Sequence, residues 1–168
     1  MKDFKIEDYE TFITNYHNLR YAPYEIRDNE EIIFDFMTLN YGALKYASSR
    51  LRSDKHFILR CFSLPDGGND GLLEYVSDEL KDDKDVVLAA LATYRWDFNV
   101  QVDYVDLRNV SERLRHDKEI VLAALKTMTF ERDIDDYIDD LNWLIPDELK
   151  KDEDIIKLIK EYDTNFVF

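Results

Sequence analysis

A chain of 168 residues with 45% apolar content can bury a core, which excludes wholesale disorder and suits one domain or a short stack of repeats. A formal net charge of −15 removes the basic footprint of a nucleic-acid binder and repels anionic membranes, so neither is expected as a direct partner. Cys61 is the single cysteine, which excludes an intramolecular disulfide and a thiolate-rich zinc site.

In chain order, the start MKDFKIEDYETF lacks the apolar stretch of a secretory signal, and no later run approaches the ~18–20 apolar residues of a membrane span. A soluble cytoplasmic protein is the expectation. Residues 6–19 place Ile6, Tyr9, Phe12, Ile13, Tyr16 and Leu19 on one stripe, which predicts an N-terminal capping helix within residues 1–22. Beyond it, one sentence is written again and again: 48-SSRLRSDKHFILRCF-62, 77-SDELKDDKDVVLAAL-91, 111-SERLRHDKEIVLAAL-125 and 146-PDELKKDEDIIKLIK-160 align without a gap. A fifth, weaker copy, 23-PYEIRDNEEIIFDF-36, fits after one deletion, giving anchors at Asp28, Asp54, Asp83, Asp117 and Asp152. Recurrence of this kind predicts a helical repeat array over residues 23–160, with a tail at 161–168.

Each position in the unit has a physical reading. The anchor aspartate precedes an apolar run and can accept the free N–H groups of the first helical turn. A second acid two residues on (Glu30, Asp85, Glu119, Asp154) suits the positive end of the helix dipole, and His56 is the departure. Leu51, Leu80, Leu114 and Leu149 each lie three residues before an anchor, in a one-turn connector opened by Ser48, Ser77, Ser111 or Pro146. Upstream pieces at 43–48, 72–77, 105–111 and 137–146 complete each unit as a helix, a connector and a capped helix. The segment 99-NVQVDYVDL-107 alternates like a strand, although the frame asks for a helix there. Inserts at 63–71 and 95–104 interrupt the frame.

The pattern 43-ALKYASSRLRSDKHFIL-59 resembles the domain-of-unknown-function 4116 family, and the copies at 77–91 and 111–125 are similar to it again. The resemblance implies small helical repeats in tandem, with no activity, cofactor or catalytic residue to carry over. The fold expected is therefore all-α: tandem helical hairpins, four full or near-full units and a weaker one, in one compact domain.

Candidate chemistry is thin. His116-Asp117 has the look of a metal-binding pair, but position 116 is Ser53, Asp82 or Lys151 in the other copies, and Asp117 is the recurring cap. His17 and His56 have no partner at i+3 or i+4, so no metal and no cofactor is implied. Cys61 aligns with Ala90 and Ala124, which predicts a small buried residue over a reactive thiol. The loop 66-DGGNDG-71 is a weak calcium candidate, and 133-DIDDYIDDLNWL-144 lacks the sixth-position Gly and twelfth-position Glu of an EF-hand.

Charge is uneven: residues 131–154 carry eleven carboxylates against three cations, whereas residues 43–60 carry five cations against Asp54 alone. On a helix, Asp133, Asp136 and Asp140 share one face, with Asp135 and Asp139 in an adjacent row. This face is a solvated surface or a partner-binding one. A non-enzymatic module that binds a protein partner is the functional expectation, because repeat stacks expose long surfaces and no catalytic constellation is legible. The competing expectation is an acidic mimic of nucleic acid that occupies the basic groove of a nucleic-acid enzyme.

Overall fold

The computed structural model describes residues 16–64, 71–93, 107–127 and 138–161. All of its regular structure is helical, with no strand among the described residues. No helix among them is long and apolar enough to cross a membrane.

The elements come in a recurring order. A 3₁₀ turn, Tyr16–Tyr21, leads into α1 (Tyr24–Arg27) and α2 (Glu30–Leu39). A second, Tyr41–Tyr46, leads into α3 (Ser49–Arg52) and α4 (Lys55–Phe62). Helix α5 (Leu72–Tyr75) precedes α6 (Asp78–Lys81) and α7 (Lys84–Thr93); the 3₁₀ turn Leu107–Asn109 precedes α8 (Glu112–Arg115) and α9 (Lys118–Thr127). Finally, α10 (Ile138–Leu144) precedes a turn over 147–151 and α11 (Glu153–Lys160). We call the five successive short-plus-capped pairs the first to fifth segments.

The long helices start where their caps dictate. Asp54 accepts from the backbone N–H groups of His56 and Phe57 at 2.9 and 3.1 Å. Asp83 accepts from Asp85 and Val86, Asp117 from Glu119 and Ile120, and Asp152 from Asp154 and Ile155. In the first segment the cap is Asn29, which accepts from Ile32 N–H at 3.1 Å, and the expected Asp28 anchor is corrected by one residue. With Asn29 as the cap, 23–37 aligns to 77–91 without a deletion, and the acid two residues on is Glu31 rather than Glu30. Asp28 takes the place of Asp82.

Connectors and lead-in turns bury the same positions in the first four segments. Leu51 and Leu114 are fully enclosed and Leu80 nearly so, with Ile26 in the equivalent place of the first segment. Leu19, Leu44, Leu73 and Leu107 are buried, as are Ala22, Ala47, Val76, Val110 and Ile145 just before each connector. Enclosing a side chain of this size contributes about 1.5–3 kcal/mol relative to leaving it in water. Helix α7 packs between α4 and α9, α2 against α4, and α9 against α11, so capped helices that follow one another in sequence are neighbours in space.

The lead-in pieces depart from expectation. Residues 16–21 and 41–46 are 3₁₀ rather than α-helical, and the rest of the 6–19 stripe lies outside the described residues. Gly42 lets Tyr16 approach closely, since an added Cβ would meet the Tyr16 ring at 2.9 Å. Gly71, at φ 82°, takes the left-handed conformation just ahead of α5. The strand-like stretch 99–106, most of both inserts, and the calcium-candidate loop apart from Gly71 lie outside the described residues.

Candidate functional site at the junctions between segments

Three sets of bonds recur between successive segments, although not all three at every junction. The first set is backbone. Ser48 N–H donates to Arg27 C=O at 2.7 Å, Ser77 N–H to Arg52 C=O at 3.0 Å, and Ser111 N–H to Lys81 C=O at 3.1 Å. The second is a lysine clamp on each cap aspartate. Lys55 Nζ reaches Asp83 and Asp85 at 2.8 Å, Lys84 Nζ reaches Asp117 and Glu119 at 2.8 Å, and Lys118 Nζ reaches Asp152 at 2.8 Å and Asp154 at 2.7 Å. These ammonium groups hold the carboxyls of Asp83, Asp117 and Asp152 below the usual carboxylate range, and hydrogen bonding to the carboxylates raises all three lysines. The sequence signal for the clamp was the lysine that follows Asp54, Asp83 and Asp117, facing an acid pair in the next copy.

The first junction reverses this clamp. Glu30 stands where the lysine would be, and Arg60 from the second segment bonds Glu30 at 3.0 Å and Glu31 at 2.9 Å. The Arg60 guanidinium also lies 3.9 Å over the Phe34 ring. An acid at position 56 would have no lysine to meet, which accounts for His56.

The third set is an outer rung. Arg50 donates to the Asp28 carboxylate at 2.8 Å and to its carbonyl at 2.6 Å, and Ser48 Oγ donates to the same carboxylate. Arg113 and Ser111 repeat this on Asp82, with Arg113 at 3.1 Å from the carboxylate and 2.8 Å from the carbonyl. The serine hydroxyl and then the guanidinium hold Asp28 and Asp82 below their ordinary values. Ser53 and Glu79 occupy these places at the second junction. At the fourth, His116 and Glu148 take these places, and His116 Nδ1 pairs with the Glu148 carboxylate.

The sequence-predicted residues sort accordingly. Asp133, Asp135 and Asp136 lie outside the described residues, and Asp139 and Asp140 fall in α10 with side chains that are not described. Cys61 is fully buried, as the alanines at its aligned positions predict, and burial pushes its thiol up to about 12. His116 serves the outer rung, and no group of three or more metal-ligating side chains occurs among the described residues.

Two surface features had no sequence forecast. At the N-terminal edge, Arg20 lies 5.7 Å from the Tyr21 ring and 5.8 Å from Tyr46, while Lys45 lies 5.8 Å over Tyr75. Tyr21 is 77% exposed there. At the fourth junction a cleft of about 270 Å³ opens, with Arg115 and His116 facing Asn142, Trp143 and Asp147.

A family model described as Domain of unknown function (DUF4116) matches residues 10–52 and again 29–65. Residues 10–65 thus match the family that the sequence resembles. This covers one third of the chain. No curated protein and no solved structure matches.

Proposed function

We propose that this chain is a non-enzymatic protein-interaction module, built as tandem helical-hairpin units stacked through their caps. The observation that carries the reading is the repeated lysine clamp, in which Lys55, Lys84 and Lys118 each neutralise the cap and the following acid of the next segment. The recurring aspartates are committed to helix starts and to neighbours, which leaves architecture as their role. The two overlapping placements of the family model support the tandem reading. Tyr21, Tyr24, Leu39 and Trp143 stay exposed among the described large apolar residues, the kind of side chain that anchors a partner. With a single buried thiol, the cytoplasm is the compartment we propose.

The test is affinity capture at low and high salt, with mass spectrometry of what is retained. A specific protein held at high salt and released by Tyr21→Ala with Tyr24→Ala is the expected result. Absence of any protein partner at every ionic strength would refute the reading. Capture that weakens steeply with salt and is competed by DNA or RNA would favour the acidic mimic instead.

A further inference from the structure

We infer that the cleft at the fourth junction is a binding site for a carboxylate carried beside an apolar group, with Arg115 as the carboxylate's partner. A basic residue ends every connector: Arg27, Arg52, Lys81, Arg115 and Lys150. Arg27 donates to Ala22 C=O at 3.1 Å, Arg52 to Tyr75 C=O at 3.4 Å, Lys81 lies 3.5 Å from Asp78, and Lys150 lies 2.7 Å from Asp147. The Nε of both Arg52 and Arg115 is buried without a hydrogen-bond partner, but Arg52 still reaches Tyr75 C=O through its terminal nitrogen, whereas among the described residues Arg115 has no ion pair. A half-buried guanidinium left uncompensated is costly, and the group that compensates it best is a carboxylate held by parallel N–H donors.

The cleft lies where the frame fails. Ser48, Ser77 and Ser111 each tie their segment to the preceding carbonyl, but Pro146 has neither an N–H nor a hydroxyl, so Arg115 C=O cannot be tied this way. Asp147, the acid in the lining, is already matched by Lys150, which leaves Arg115 as the unanswered charge. The half-exposed Trp143 supplies the apolar wall, since Leu107, Leu144 and Ile145 in the lining are almost fully buried. At about 270 Å³ the space is below the range of pockets for drug-sized ligands, so it fits one acidic or C-terminal residue and not a cofactor. The interaction-module reading is needed only to say that a partner protein carries this group.

The probe is N-acetyl-leucine, titrated into the full chain and followed by NMR at the Trp143 indole N–H and the Asn142 side-chain amide, with N-acetyl-leucinamide as the control. Expected is saturable binding on the order of millimolar for a ligand of this size. The amide should bind at least tenfold more weakly, Arg115→Gln should lose tenfold or more, and Arg115→Lys should fall between. Unchanged amide signals from residues 41–62 establish that each variant is folded. The inference is overturned by equal binding of acid and amide, by Arg115→Gln binding as the parent does, or by no shift at Trp143 up to tens of millimolar. Carboxylate binding without any captured protein would leave the site standing and remove the interaction-module reading.

Discussion

The third and fourth junctions occupy equivalent places in the frame and are made of different chemistry. At the third, Ser111 caps α8, donates its N–H to Lys81 C=O and its hydroxyl to Asp82, and Arg113 closes the rung. At the fourth, Pro146 does none of these, the connector is a hydrogen-bonded turn rather than a helix, and His116 with Glu148 replaces the aspartate–arginine pair. Both keep the lysine clamp on the next cap. The comparison teaches that the clamp and the apolar spine set the spacing of the segments, while the connector's first residue decides whether the seam is sealed or open.

The connector leucines provide the largest expected difference. Leu114 is fully buried whereas Leu149 is only half-buried. Leu114→Ala should cost about 2–5 kcal/mol in urea unfolding, and Leu149→Ala less than half as much. Equal losses would mean that the fourth junction is as tightly packed as the third. Next comes the cap: Asp117→Ala removes the acceptor for two N–H groups and should cost about 1 kcal/mol. Lys84→Met, which leaves the cap in place but removes the clamp, should lower the melting temperature by less; the reverse order would make the clamp, not the cap, the main support.

Smaller still is the dependence on pH, and its sign follows from the shifts. Asp83, Asp117 and Asp152 are depressed in the folded chain, so their contribution is complete above about pH 4 and is lost as pH falls through their lowered values. Lys55, Lys84 and Lys118 are raised, so their share is complete below about pH 10 and is lost as pH rises past the ordinary lysine range. Thermal melting across pH should therefore show a plateau falling at both ends, and neutralising all three lysines should flatten the alkaline side. The smallest effect belongs to Pro146→Ser. The regained N–H bond and the lost proline rigidity nearly offset, so stability should stay within about 0.5 kcal/mol of the parent. The new amide at position 146 should nevertheless be protected from hydrogen exchange if the seam closes as at the third junction.

Much of this was legible in the residues. The copies at 48–62, 77–91 and 111–125 announce their helices because an acid cap followed by an apolar run has only one economical local structure, and Leu51, Leu80, Leu114 and Cys61 are buried where the frame puts them. In the first copy the cap lies one residue beyond the expected Asp28, because asparagine caps as well as aspartate, and Asn29 aligns with the other caps without a deletion. The acidic row at 133–140 was the most conspicuous feature of the sequence, and it falls on side chains outside those described.

Local chemistry, written in caps and spacing, determined where helices begin and which faces are apolar. The arrangement across the chain decided the rest. Whether Lys84 points at water or at an aspartate thirty-three residues away depends on how neighbouring segments stack. So does whether a proline in place of a serine leaves an arginine lining a cleft. Neither is specified by short-range rules, since both depend on distances between groups that the chain brings together only after its helices have packed.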